Sequence, residues 1–383
     1  PLIPLSLAVV LDMQPPERHA QIGLGLPILA MFGISSGPAI GGWLSEYHGW
    51  QSIFLVSLPL AGFIFVGMTF WLPEKKAEAN PPFDFLGLAF FFLGLLGLQA
   101  LLDRGERLEW FNSAEIWVEA TSAVVGFSLY LAHVAARKTH FLSKALFGDR
   151  NFVLSTVMHF VFGFVLLPTL ALTSPLLNEV LGYPPDTTGY LTIPRGVGLV
   201  GALILMEWAP ARMDARIFAA GGMAIVVFAN GLMLGYSPLM DWRAVAVALL
   251  LQGAGLGIVM PALTRTAFGT LAAQFRPEGT ALFNMARLYG GSIGVSVVLI
   301  FFYDNTQAMH LALAKDLIPY RAAAHAVASI SLPDLARMND AVTGQAAIVA
   351  VIGQYKILMM AMLIASPLVL FLRKPATPPS TRI

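Results

Sequence analysis

Residues 33–42 read G-I-S-S-G-P-A-I-G-G and lie within an uncharged apolar run of about 25 residues. A helix of that length is long enough to cross a bilayer core of roughly 30 Å. Gly33, Gly37 and Gly41 fall four residues apart, so on a helix they share one face and allow another helix to approach closely. Pro38 removes one backbone donor and predicts a bend in that helix. The stretch alone leaves two interpretations open: a close-packed helix crossing without a transport role, or a segment of a transport path.

The composition of the whole chain indicates a polytopic membrane protein. Hydrophobic residues make up 57% of the 383 residues and charged residues 12%, whereas soluble domains carry about 25% charged residues. The net charge of +1, without any basic cluster, argues against a nucleic-acid partner. The chain has no cysteine, which excludes disulfides, thiolate metal sites and cysteine nucleophiles.

Eleven apolar runs follow one another, separated mostly by short polar or Pro/Gly-rich loops, and predict an all-α membrane bundle. The first, at about 1–11, is too short to span a bilayer and is interpreted as the end of a helix cut by the chain start. Because the chain begins at Pro1, with no initiator Met and no signal peptide, we expect that its true N-terminus is missing. Segment 304–349 mixes charges with helix-forming residues and predicts a long external loop with one or two amphipathic helices. The complete runs lie at about 20–44, 51–72, 85–102, 115–134, 152–178, 188–208, 217–236, 244–265, 281–303 and 350–372.

The distribution of Lys and Arg predicts how the bundle is oriented. One set of alternate loops, together with the C-terminal tail, carries thirteen of these residues and the opposite set carries six. Positively charged loops remain cytoplasmic, so the richer set and the C-terminus are predicted to face the cytoplasm. All seven Trp residues lie at or near the ends of runs, as in the aromatic belt at the headgroup level.

Two arginines lie within apolar runs, where a charge is costly unless it faces a polar cavity or a partner. Arg287 lies in N-M-A-R-L-Y-G-G-S-I-G, and is interpreted either as a contact for substrate or the proton network, or as a side chain reaching the cytoplasmic headgroups. Arg195 lies in T-I-P-R-G-V-G, where Pro194 and the glycines predict a flexible or broken segment lining a cavity. The alternatives for Arg195 are a structural ion pair or a side chain reaching the external headgroups.

His159 is a third candidate for the transport path, because the unperturbed pKa of histidine is near neutral and suits a proton relay. The alternative is a packed, hydrogen-bonded core residue. The sequence has no G-x-x-x-x-G-K-[ST] loop, no H-E-x-x-H and no G-x-S-x-G motif, which argues against an ATP-driven pump and against an enzyme. No cofactor and no metal site is predicted.

Several short motifs together resemble the major facilitator superfamily. They are similar to its 14-helix drug/proton antiporter branch and, within it, to the multidrug resistance protein B type. The G-P-x-x-G-G element, which ends in Gly41 and Gly42, is similar to the antiporter motif of the drug/proton exchangers. The resemblance covers essentially the whole chain. Its motifs are P-L-I-P-L-S (1–6), P-P-E-R (15–18), S-G-P-A-I-G-G-W-L (36–44), F-D-F-L-G (83–87), L-L-D-R-G-E-R-L-E-W-F-N-S (101–113), L-F-G-D-R-N-F (146–152) and R-L-Y-G-G-S-I-G (287–294).

The resemblance implies two six-helix bundles with two extra helices between them. It divides this chain into the remainder of the N-terminal bundle (1–72), two linker helices with a cytoplasmic loop (73–150) and the C-terminal bundle (151–383). It also implies proton-coupled export of hydrophobic or amphiphilic drugs across a bacterial inner membrane, with a periplasmic adaptor and an outer-membrane channel as partners in Gram-negative cells. Gly33, Gly37, Pro38, Gly41 and Gly42 would then belong to the fifth helix, and Arg195, Arg287 and His159 to the central path.

The chain also departs from the resemblance. About three helices are expected before Pro1, and they would hold the carboxylate thought to take up the proton. Two other functions therefore stay open: a non-transporting remnant that serves as a membrane scaffold or sensor, and an uptake carrier for a polar metabolite on the same fold.

Overall fold

The computed structural model describes residues 9, 13, 19–71, 84–105, 107–136, 142–208, 213–237, 240–315 and 332–374. Within these ranges it contains no strand and has ten helices long and apolar enough to cross a membrane, which confirms the predicted membrane bundle. The motifs at 1–6 and 15–18 lie outside the described residues. The helices are α1 (His19–His48), α2 (Gln51–Trp71), α3 (Phe85–Arg104), α4 (Ala114–Ala136), α5 (Arg150–Pro175), α6 (Pro185–Trp208), α7 (Ala215–Met233), α8 (Trp242–Thr270), α9 (Arg276–Lys315) and α10 (Leu332–Ala365).

Aspartates fix where several of these helices begin. The side chain of Asp84 accepts a hydrogen bond from the Gly87 amide at 2.9 Å at the start of α3, and Asp149 accepts one from the Phe152 amide at 2.9 Å at the start of α5. An N-cap carboxylate satisfies an orphan amide and suits the positive end of the helix dipole. The short polar breaks in the sequence therefore act as helix starts as well as loops.

Helices α9 and α10 are longer than the apolar runs predict. The run at 281–303 is the middle of a 40-residue helix that ends at Lys315, and α10 begins at Leu332. At 1.5 Å per residue α9 is about 60 Å long, roughly twice the bilayer core. Both helices thus extend into the segment predicted as a loop, 304–349, of which residues 316–331 lie outside the described part.

The described chain forms two compact units. The first takes the described residues of Pro1–Ser36, Asp149–Tyr183 and Leu191–Ile383. In it α5 packs against α8, α9 and α10, and α7 packs against α8 and α10. Its core is fully buried and mixes aromatic with aliphatic and Met side chains, as Phe162, Met223 and Leu256 illustrate. Lipid tails are as apolar as this core, so moving these side chains out of lipid gives little hydrophobic stabilisation. The helices are held together by close van der Waals packing instead.

The second unit takes the described residues of Gly37–Gly148 together with Pro184–Tyr190, and its main contact is the hairpin of α3 and α4. Gly94 and Gly126 allow the two backbones to touch, since a Cβ at Gly126 would overlap the backbone of Gly94. The hairpin is tied at one end by Arg104, which pairs with Glu119 at 2.7 Å. These are the two helices predicted as linkers, and their assignment to a domain at 73–150 stays a prediction.

Candidate functional site

The glycine-rich stretch at 33–42 lies on α1, which runs through Pro38 without interruption. A Cβ at Gly42 would overlap the carbonyl oxygen of Pro185 at the start of α6. A Cβ at Gly189, one turn further along α6, would come within 2.6 Å of the Pro38 carbonyl oxygen and 2.9 Å of Ala39 Cα. The two helix segments therefore cross antiparallel, with backbone against backbone.

The other glycines of the stretch are not at this crossing. Among the described residues, no neighbouring atom lies within 4 Å of the place where a Cβ on Gly33 or Gly37 would stand, and a Cβ on Gly41 would meet Ile53 Cδ1 at 3.9 Å. The close contact is made by the face of Pro38 and Gly42, four residues apart. Each face carries at least one glycine in a spacing of four residues, so the spacing alone does not tell which face makes the contact.

Arg195 is buried inside the first unit, with 4% of its surface exposed. Its Nη2 donates a hydrogen bond to the Leu166 carbonyl oxygen of α5 at 2.7 Å, while its Nη1 has no partner in the described structure. The guanidinium also interacts electrostatically with the phenol of Tyr355 on α10. An arginine in this position links three helices of the bundle.

The prediction of a broken helix around Arg195 was wrong, because α6 is continuous from Pro185 to Trp208. The glycines near it serve packing instead. A Cβ at Gly198 would overlap the Leu250 carbonyl oxygen of α8, and one at Gly253 would overlap the carbonyl oxygen of Arg195. In a continuous helix the backbone N–H and C=O groups form hydrogen bonds with one another. This is strongly favoured in a membrane interior, where no water is available to them.

One face of α5 carries successive polar contacts to the surrounding helices. Besides Leu166, which accepts from Arg195, it presents Thr169 and Thr173, so the contacts extend over seven residues, or about 10 Å of helix. Gln252 Nε2 of α8 donates to Thr169 Oγ1 at 3.1 Å, and the hydroxyl of Tyr355 is hydrogen-bonded to Thr173. All these side chains are buried.

A second contact of Gln252 extends this array to α7, because its Nε2 also donates to Asn230 Oδ1 at 3.0 Å. We call the array the polar ladder. It joins α5, α6, α7, α8 and α10 inside one unit. Its members are Thr169, Thr173, Arg195, Asn230, Gln252 and Tyr355.

Sequence reasoning found only Arg195 of the polar ladder. A signal for Gln252 was present, because a buried amide in an apolar helix is expensive unless it has partners. Asn230 carries the same signal in the neighbouring run. Their pairing depends on which faces of α7 and α8 meet, and that is decided by tertiary packing.

Several buried polar atoms of this unit, two of them in the polar ladder, have no partner in the described structure. They are Arg195 Nη1, Gln252 Oε1, the Tyr236 hydroxyl and both amide atoms of Gln354. Tyr236 packs edge-on against Tyr355, with ring centroids 5.7 Å apart, and burial raises the pKa of its hydroxyl above the ordinary value, so it stays a neutral donor. Unsatisfied buried groups cost about 1–3 kcal/mol each and are unusual in native cores. Unpaired groups of this kind are candidates for contacts with water or with a ligand.

His159 and Arg287 occupy a separate part of the same unit, at the crossing of α5 and α9. The imidazole of His159 is stacked between two rings, with its centroid 3.9 Å from Phe283 and 5.3 Å from Phe162. Neither His159 Nδ1 nor Arg287 Nε has a partner among the described residues. Arg287 is 5% exposed, which favours the interior-facing interpretation over a side chain reaching the headgroups.

The glycines of R-L-Y-G-G-S-I-G bring α9 onto α5. A Cβ at Gly290 would overlap the Phe160 carbonyl oxygen, and one at Gly294 would lie 2.7 Å from that of Phe164. In return, a Cβ at Gly163 would overlap the carbonyl oxygen of Arg287. The motif therefore places Arg287 and His159 next to each other, but the structure does not bring either of them into the polar ladder. In the described part of the chain, no three His, Asp or Glu side chains cluster as a metal site would require.

A family model described as Major Facilitator Superfamily matches residues 1–295. The fatty acid resistance protein FarB of Neisseria gonorrhoeae is 29% identical over 86% of this chain and 65% of its own length. The multidrug export protein EmrB of Haemophilus influenzae is 27% identical over 84% of this chain and 63% of its own length. A multidrug resistance protein B homolog of Mycobacterium tuberculosis is 28% identical over 87% of this chain. The chain spans just under two thirds of the length of these relatives.

Proposed function

Because the chain belongs to the Major Facilitator Superfamily, we propose that it acts in secondary transport, exporting hydrophobic and amphiphilic compounds in exchange for protons. The names of its relatives, which refer to multidrug export and to fatty acid resistance, support this direction and this substrate class. Neither an uptake carrier for a polar metabolite nor a non-transporting scaffold is favoured by any of these relatives.

The polar ladder is the observation that carries the proposal. A charged guanidinium and two amides within apolar spanning helices are costly, and side chains of this kind in membrane proteins mark substrate or ion paths. A core that only held helices together would be served by apolar side chains at no such cost. Arg195 is therefore assigned to the path, and the buried Arg287 is assigned to it as a second positive group.

The glycine contacts support the alternating movement that such transport requires. At the crossings of α1 with α6 and of α5 with α9, glycines bring backbone directly against backbone, which allows small sliding movements of one helix along the other. Pro38 and Gly42, with Gly33, Gly37 and Gly41 on the neighbouring face, shape and seal the path in this proposal. The relay role of His159 stays a hypothesis, because its stacked position equally suits a packed core residue.

The chain is a multi-pass membrane protein, and we place its C-terminus in the cytoplasm of a bacterial cell with the inner membrane as its location. Two contacts support this orientation: Asn151 Oδ1 accepts from the Arg373 amide at 2.8 Å, and Arg216 Nη1 donates to the Leu372 carbonyl oxygen at 2.9 Å. The tail thus lies on the side where α5 and α7 begin, which is the side rich in Lys and Arg.

A periplasmic adaptor and an outer-membrane channel are proposed as partners. Support comes from α9 and α10, which are longer than a bilayer core requires and whose joined ends lie away from the C-terminal tail. There His310 Nε2 lies 3.2 Å from Asn339 Oδ1, which links the two helices. A projecting helical pair of this kind offers a surface for a partner.

Proton-driven export from vesicles tests the proposed function. Inside-out vesicles containing the protein are given an imposed pH gradient, and the movement of lipophilic cations, neutral drugs and weak acids is followed by fluorescence. We expect uptake into these vesicles that collapses with a protonophore. If no compound of any class moves, the export proposal fails. If movement occurs only in the opposite direction, the chain is an uptake carrier.

A further inference from the structure

Arg195 has no acidic partner within ion-pair distance in the part of the chain that the structure describes. Among the described residues no carboxylate lies within 4.0 Å of its guanidinium, and the groups it touches are the Leu166 carbonyl and the phenol of Tyr355. The rest of the polar ladder consists of hydroxyls and amides. This part of the bundle therefore carries a net positive charge at a place shielded from water.

Arg265 offers a comparison within the same bundle, because it also ties two helices together. Its Nη2 donates to the Met206 carbonyl oxygen at 2.9 Å, so it ties α8 to α6 much as Arg195 ties α6 to α5. Unlike Arg195, it interacts electrostatically with a nearby carboxylate, Glu207, at a helix end. An arginine can tie two helices together and still have a carboxylate nearby. Tethering therefore does not explain why Arg195 lacks one among the described residues.

The donor geometry of Arg195 supplies one. Its Nη2 is fixed on Leu166, so the orientation of the planar guanidinium is set while Nη1 stays unpaired. An oriented guanidinium with free donors matches carboxylates and phosphates better than any other side chain. The unpaired hydroxyl of Tyr236, whose ring packs against Tyr355, is a further neutral donor in the same region.

We propose that Arg195 is a recognition site for the acidic group of lipophilic organic anions, and that the polar ladder selects such anions over lipophilic cations. This inference rests on the proposed export function and names the substrate class for that site. A carboxylate near the guanidinium is attracted by a charge in a low-dielectric setting, whereas a quaternary ammonium there is repelled by the same charge.

Three fluorescent probes with the same ring system test the proposal: pyrenebutyrate, the neutral pyrenebutyramide and a pyrenebutyl-trimethylammonium cation. Binding to the purified protein in neutral detergent is measured by pyrene anisotropy, without any transport step. We expect the carboxylate to bind at least tenfold more tightly than the amide, and the cation to bind more weakly than the amide. Equal binding of the three probes by the wild-type protein would overturn the proposal without any variant.

Substitutions then assign the preference to one residue. Arg195→Gln keeps an NH donor for the Leu166 carbonyl but removes the charge, so the carboxylate should lose its advantage of about tenfold while the amide binds as before. Arg195→Lys retains the charge and should retain most of the preference. Arg265→Gln is the matched control and should leave all three affinities unchanged. A preference that persists in Arg195→Gln, or that disappears in Arg265→Gln, would show that Arg195 is only a structural tether.

Failure of this inference and failure of the proposed function give different results. If the vesicle assay moves the amide or the cation under a pH gradient but the binding preference is absent, export stands and the anion site does not. If the carboxylate preference is present and depends on Arg195 but nothing is transported, the binding site stands and the export proposal falls.

Discussion

Replacing Gly253 by Ala places a methyl group where α8 meets the backbone of α6. The new Cβ would overlap the carbonyl oxygen of Arg195 and would lie 2.9 Å from its carbonyl carbon and 3.1 Å from its Cα. These atoms belong to a helix backbone, so neither partner can turn aside as a flexible side chain would. The helices must separate locally, which moves Arg195 relative to the Leu166 carbonyl that its Nη2 contacts at 2.7 Å.

The expected cost follows from three terms. Overpacking a core by one methyl group costs about 1–3 kcal/mol. Weakening a hydrogen bond from a charged donor costs about 1.5–3 kcal/mol, and the higher helix propensity of Ala returns roughly 1 kcal/mol. We therefore expect Gly253→Ala to lower the free energy of unfolding by about 1.5–5 kcal/mol.

Gly221 on α7 provides the control. It is exposed, and no neighbouring atom of the described residues lies within 4 Å of its Cβ position, so Gly221→Ala should raise stability by about 0.5–1 kcal/mol. Unfolding is followed by circular dichroism during titration with sodium dodecyl sulfate in mixed micelles, for both variants under the same conditions. The reasoning is refuted if Gly253→Ala is as stable as Gly221→Ala, since the two substitutions differ only in what the methyl group meets.

Three further predictions concern other parts of the molecule. His133→Phe removes the partner that Asp84 contacts at 2.9 Å, and should destabilise the α3–α4 hairpin by about 1–3 kcal/mol, with a double-mutant cycle using Asp84→Asn as the check. Arg216 holds the pKa of the Asp214 carboxyl below its ordinary value. The stabilisation that this pair gives the folded state is present above about pH 4 and is lost as the pH falls through the depressed pKa, so the difference in free energy of unfolding between the wild type and Arg216→Gln should become smaller in acid. A difference that stays constant with pH would contradict this linkage. His159→Phe keeps the aromatic stack, so its stability should stay within about 1 kcal/mol of wild type; a fall in proton-driven export at unchanged stability would assign the relay role to His159.

The two buried arginines differ in what surrounds them. Arg195 lies among hydroxyls and amides that supply partners for a ligand, whereas Arg287 lies beside the stacked ring of His159 and the tightly packed crossing of α5 and α9. A polar surrounding stabilises a charge by solvating it, and an aromatic one does so less effectively. This contrast is why the substrate proposal rests on Arg195 and why Arg287 is assigned a supporting role in the path.

Composition and periodicity determined the membrane bundle, the number of spanning helices and their approximate positions. These features follow from local chemistry, because each spanning helix must satisfy its own backbone and cover about 30 Å of hydrocarbon regardless of its neighbours. The same reasoning identified Arg195, Arg287 and His159, since a titratable side chain in an apolar run stands out in the sequence itself.

Only the tertiary structure decided which faces meet. The spacing of Gly33, Gly37 and Gly41 looked like the contact face of α1, yet the crossing with α6 uses Pro38 and Gly42. Small residues permit close approach on any face that carries them, and the choice depends on the shape of the partner helix. Residues far apart in the chain, such as Thr169, Asn230 and Gln252, form the polar ladder for the same reason: their hydrogen bonds exist only after α5, α7 and α8 have packed.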